Sequence, residues 1–128
     1  MHDLQDTMGN LESAMEAASI AWWWMEMPSG TVFFSPNKTR MMGREKEDFF
    51  HYSDFTKLVH PDDYEPMMKA MRDHMEGKTE EYVVKYRIKH ADGHYVQFLN
   101  KGKIIARKGK EIEIAGIVLN AEIMQHNK

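Results

Sequence analysis

Three groups of side chains in this sequence have types and spacings that suit chemistry. In His90-Ala91-Asp92-Gly93-His94 two imidazoles and a carboxylate flank one turn and could approach a metal ion, but nothing beside them supplies a fourth ligand. Asp62, Asp63 and Glu65 crowd three carboxylates together, which suits acid–base work and equally suits helix capping. Met67, Met71 and Met75 recur at i, i+4 and i+8 with His74 beside them. Thioethers are flexible and polarizable, so this stripe either fills an irregular core or lines an adaptable pocket for an apolar or planar ligand; core packing is the favoured reading. There is no phosphate-cradling glycine loop and no nucleophile motif, so no catalytic residue is assigned. Cysteine is absent, which removes disulfides, thiolate metal sites and a cysteine nucleophile.

Composition narrows the function classes further. The 128 residues make one domain with a single core. A net charge of −3 argues against a general nucleic-acid binder. No apolar run reaches the length of a membrane span, so no membrane contact is expected of this segment. Residues 1–19 carry Asp3, Asp6, Glu12 and Glu16 in place of a basic start and an apolar core, unlike a secretory signal. A cytoplasmic location fits these features.

The elements that position these groups follow from periodicity. Leu4, Met8, Leu11, Met15 and Ala18 fall at spacings of 4, 3, 4 and 3, which predicts a helix with a heptad seam. Three fates are open to it: folding over its own sheet, pairing with a second subunit, or continuing a helix from upstream. Ile20 to Met27 is predicted as an aromatic strand, turned by Pro28-Ser29-Gly30 into Thr31 to Ser35. Short helices are expected at residues 37–42, 46–51 and 53–59, then a longer one after His60-Pro61 that Gly77 stops. Proline is tolerated only within a first turn, so Pro66 makes Asp62 or Asp63 the expected cap in preference to His60, and Asp62 with Glu65 has capping-box spacing.

Val84, Tyr86 and Ile88 alternate with Lys85, Arg87 and Lys89, and a second alternation follows Asp92-Gly93, so a β-hairpin is predicted with positive φ at that pair. The strand continues through Lys101 to Arg107, and Lys108-Gly109-Lys110 turns it toward Ile112 to Leu119; a solvated tip is favoured there over a surface for an acidic partner.

The hairpin resembles the C-terminal half of a PAS domain, with Tyr86-Arg87-Ile88, the Asp92-Gly93 turn and Tyr95 on a strand closing at Gly102. Residues 21–36, Met42-Gly43, Leu58-Val59-His60-Pro61-Asp62-Asp63 and Ala115-Gly116-Ile117-Val118 are similar to further family landmarks, in order, over residues 20–121. The resemblance implies an α+β PAS fold: a five-stranded antiparallel sheet with short helices on one face and an N-terminal flanking helix. It divides the chain into a flank at 1–19, a PAS domain at 20–121 and the start of a linker at 122–128.

By the same resemblance Trp23 takes the place of a core Trp, with Met25 inward beside it and Trp22 and Trp24 outward, where the first helix or a partner would cover them. Three tryptophans lining one core is the plainer alternative. Trp23, Met25, Met71, Met75, Tyr86 and Gln97 are the candidate pocket residues. Leu4, Met8, Leu11, Met15, Trp22 and Trp24 are the candidate dimer-interface residues. Gln97 stands where many relatives have Trp, and would favour a polar ligand if it faces the cavity. Haem-binding relatives take an axial His from the helix that holds His74, yet His74 sits nearly 100° around from Met71 and haem is not expected. Cysteine-linked flavin or chromophore chemistry is excluded, and no cofactor or metal is assigned.

Relatives also end in Asp-Ile-Thr leading to an output helix; here Asn120-Ala121-Glu122 occupies that place, which removes a charged contact. The implied role is a sensory module of a larger signalling protein, of the histidine-kinase or cyclic-dinucleotide type. Its implied partners are a small molecule, a second copy and an output domain in the same polypeptide. The alternative is a ligand-free dimerisation or spacer module.

Overall fold

The computed structural model describes residues 3–121. Helix α1 (Leu4–Ala17) starts where the Asp3 side chain accepts a bond from the Asp6 N–H. Strands β1 (Ile20–Met27) and β2 (Val32–Phe34) form the first hairpin. Three short helical pieces follow: α2 (Pro36–Met41), one 3₁₀ turn (Lys46–Asp48) and α3 (Tyr52–Thr56). The long helix α4 (Pro61–Met75) then leads to β3 (Tyr82–Lys89), β4 (Tyr95–Lys108) and β5 (Glu111–Asn120). The five strands form one antiparallel sheet in the order β2-β1-β5-β4-β3, so the two hairpins meet where the last strand inserts between them. The α+β architecture and the flanking helix match the expectation from sequence.

Period-2 alternation decides which side chains reach the core. Ala21, Trp23 and Met25 point to one face and are buried; they lie opposite Val118, Gly116 and Ile114 of β5. Tyr82, Tyr86 and Ile88 of β3 and Val96, Phe98 and Asn100 of β4 complete that face, and α2, α3 and α4 cover it. The Trp23 indole lies over a glycine pair, Gly102 opposite Gly116. A Cβ on Gly116 would stand 2.7 Å from Trp23 Cζ2 and 2.1 Å from the Lys101 carbonyl oxygen, so only glycine fits there.

Two local expectations are corrected. His60, not Asp62 or Asp63, caps α4: its Nδ1 accepts the Asp62 N–H at 3.1 Å, with Pro61 at the first helical position where its missing N–H costs nothing. The helix therefore starts early enough to place Pro66 inside it. Asp63 is drawn instead to Arg87 on β3, while Glu65 pairs with Arg72 and not with a capping box. In the hairpin turn only Gly93 takes positive φ; Asp92 does not.

Candidate functional site

A cavity of about 270 Å³ lies between the helical layer and the inner sheet face. β1 contributes Trp23 and Met25, β2 contributes Phe34, and α4 contributes Met67, Met71 and Met75 from one stripe. The i, i+4, i+8 spacing that put the thioethers on one side of α4 thus brings them over the cavity.

Contacts at both ends hold α4 in place. Asp63 accepts two bonds from the Arg87 guanidinium, at 2.9 and 3.0 Å, and one from the Arg87 backbone N–H at 2.8 Å. That guanidinium, with the backbone bond, keeps the Asp63 carboxyl below the usual carboxylate range. The His60 ring packs 4.8 Å from that of Tyr95. At the other end His74 is buried: its Nε2 accepts the Ile104 N–H at 3.1 Å, so its Nδ1 carries the proton donated to the Thr79 carbonyl at 3.0 Å. Both ring nitrogens of His74 are therefore held by the protein, away from the cavity wall.

Two of the polar groups on the wall are paired with each other. Trp23 Nε1 donates to Asn100 Oδ1 at 2.5 Å, and Asn100 Nδ2 donates to the Tyr86 hydroxyl at 3.1 Å. Tyr82 also reaches the wall, and burial pushes both tyrosine hydroxyls above their ordinary pKa, so they remain neutral. Lys38 differs. It comes from the first turn of α2, which Ser35 caps and Pro36 begins. The residue is 2% exposed. Its Nζ sits 3.5 Å from the Phe34 ring centroid and 4.3 Å from that of Phe55. Burial pushes its pKa well below the lysine value, while the two ring faces favour the cation.

Of the six pocket residues named from sequence, Trp23, Met25, Met71 and Met75 line the cavity. Tyr86 does not; it lies in the core beneath, edge-on to Phe55 and Phe98, and meets the wall through Phe55 and Asn100. Gln97 is on the opposite face, because it alternates with the inward Val96 and Phe98. Sequence reasoning missed Lys38, Phe34, Phe55, Tyr82 and Asn100. The signal for Asn100 was present: it continues the inward set Val96, Phe98. Lys38 was hidden in the polar run Ser35 to Arg40.

The interface residues divide between two places. Trp22 and Trp24 are on the outer face, Trp22 stacked on Phe33 at 5.2 Å and Trp24 Nε1 bonded to Glu113 at 3.0 Å. α1 buries none of its residues; Leu4, Met8 and Leu11 are 74%, 55% and 60% exposed and Met15 is half-buried. Glu16 of α1 meets Arg40 of α2 at 3.2 Å. In the hairpin tip, ligand atoms of His90, Asp92 and His94 all lie within 4.8 Å of one another. Their bonds close the turn: the Asp92 N–H donates to His90 Nδ1 at 3.2 Å, and the Asp92 carboxylate accepts from the His94 backbone and ring.

The PAS fold family matches residues 31–118. The chain belongs to the PAS family. No curated protein matches it. Among solved structures this PAS domain is similar to a sensory box histidine kinase/response regulator from Burkholderia thailandensis, at 22% identity and a TM-score of 0.74, over 92% of this chain and 88% of that one. The N-terminal domain of a diguanylate cyclase with a PAS/PAC sensor from Marinobacter aquaeolei has the same TM-score at 18% identity, over 84% and 99% of the two chains. A domain of a putative light and redox sensing histidine kinase from Haloarcula marismortui reaches 0.69 at 21% identity, over 88% and 97%.

Proposed function

We propose that this PAS domain is a cytoplasmic sensory module of a larger signalling protein, with residues 1–19 as its flank, 20–121 as the domain and 122–128 beginning a linker. A small molecule enters the cavity and its presence is passed to an output domain through the flanking segments. The observation that carries this reading is the cavity itself: a core of this size is normally filled to crystal-like density, and about 270 Å³ of space against three methionines is a receptacle. Histidine-kinase and diguanylate-cyclase domains of similar fold support an output of that kind. No catalytic step is assigned to the domain.

The two flanks leave the sheet side by side, since the Asn120 N–H bonds the Ser19 carbonyl at 3.4 Å and Ile20 lies opposite Leu119. A change in sheet packing reaches both at once. For that to signal, the ligand must bind two packings with different affinity. Glu122, part of the departure at Asn120-Ala121-Glu122, lies outside the described residues; Ala121 is buried.

The exposed seam of α1 supports a homodimer and favours the second reading, a ligand-free dimerisation module. A thermal-shift screen of small apolar compounds separates the two. A saturable rise in Tm with at least one compound, absent in Met71→Trp, is expected of a sensor. A wild type unmoved by every compound, yet dimeric through α1, would establish the spacer.

A further inference from the structure

The cavity holds a buried amine that no counter-charge answers among the described residues. Among the described residues no carboxylate pairs with Lys38, and burial disfavours its charged form. The other charged residue at the cavity, Arg72, is also cationic and is held by Glu65 at 2.5 Å. Phe34, Phe55 and Trp23 surround the Lys38 Nζ with ring faces, which attract a cation but supply no counter-charge. A buried ammonium without an acceptor is costly, and its environment here is completed by an anion arriving from solution. A neutral ligand can accept a hydrogen bond there but supplies no counter-charge, and a cationic one supplies the wrong sign.

Beyond Lys38 the wall turns apolar, along Met67, Met71 and Met75. At the roughly 30 Å³ a water occupies in the liquid, the cavity holds on the order of ten non-hydrogen atoms. We propose that the ligand is an amphiphilic monocarboxylate of about that size, its carboxylate on Lys38 Nζ and its hydrocarbon part along the methionine stripe. The proposal deepens the sensor reading and rests on it. Burial disfavours the charged amine and an adjacent carboxylate favours it, so any proton exchanged on binding is taken up and not released.

The test uses octanoate and its neutral isostere octanamide, titrated into the purified domain and into Lys38→Met by calorimetry in two buffers of different ionisation heat. Wild type is expected to prefer octanoate by about tenfold or more, as a charge-assisted bond allows, with any proton exchange in the direction of uptake. Lys38→Met is expected to bind both probes alike, without proton uptake. Equal binding of the two probes by wild type would overturn the anchor and leave the cavity as a neutral apolar site. Binding of neither probe would overturn the carboxylate proposal, and with no compound moving the Tm in the wider screen the sensor reading falls as well. Should Lys38→Met fail to fold, the wild-type preference for octanoate over octanamide decides the matter alone.

Discussion

Met71→Trp distinguishes a real cavity from a tightly packed core. The indole side chain carries about six more non-hydrogen atoms than the thioether chain, and at a generous ~30 Å³ each they need roughly 180 Å³. The cavity offers about 270 Å³ next to Met71, so the ring fits without displacing Trp23 or Phe34. Burying roughly 50 Å² more apolar surface contributes about 1 kcal/mol, partly offset by the ordering of a larger side chain. The net expectation is a change between zero and about 1 kcal/mol of added stability. A filled core would instead lose about 1–3 kcal/mol through overpacking. Urea unfolding at constant m separates these outcomes, and melts corroborate it at roughly 4 °C per kcal/mol. The same substitution should abolish octanoate binding. A variant destabilised by more than about 1 kcal/mol, in a wild type that binds no small molecule, would show that the space beside Met71 is filled core.

Replacing both Leu11 and Met15 with Glu should convert a dimer to a monomer in sedimentation, because it sets charge into the seam that α1 exposes; a dimer that survives, or a wild type already monomeric at high concentration, removes the seam from the account. Gly116→Ala should cost about 3 kcal/mol, since its Cβ must displace the Lys101 carbonyl or the Trp23 ring, and a loss under about 1 kcal/mol would show that the β4–β5 pair opens easily. Asp63 has a folded pKa below its unfolded value, so its bond to Arg87 stabilises fully above about pH 4 and fades as pH falls through the lower folded value. Asp63→Asn should therefore have a lower urea midpoint at pH 7, with the gap closing in acid; a gap independent of pH would mean that the charge contributes nothing.

The sheet was legible in the sequence wherever one face is wet. Alternation in Val84 to Lys89 and in Ile20 to Met27 predicted both hairpins, the family resemblance chose Trp23 as the inward tryptophan, and the Met67-Met71-Met75 spacing predicted an inward helix face, which lies over the cavity. Legibility ended where tertiary partners compete with local chemistry. Asp63 has good capping chemistry, but the Arg87 fork offers three bonds, which leaves capping to His60. Tyr86 alternates correctly yet lies deeper than the cavity, because depth along the sheet normal is set by the helices above it and not by period. Lys38 is the clearest case. A lysine in a polar run reads as solvated, and only the packing of α2 against Phe34 and Phe55 turns its stem inward.

The three tryptophans offer the most direct test of where a ligand goes, since Trp23 Nε1–H is on the cavity wall and those of Trp22 and Trp24 are on the outer face. In a two-dimensional ¹⁵N–¹H spectrum their indole signals are read separately during titration with octanoate. With octanoate in the cavity the Trp23 signal shifts saturably while those of Trp22 and Trp24 stay in place. A titration that moves Trp22 and Trp24 and leaves Trp23 unchanged would put binding on the outer sheet face and contradict the cavity as the sensory site.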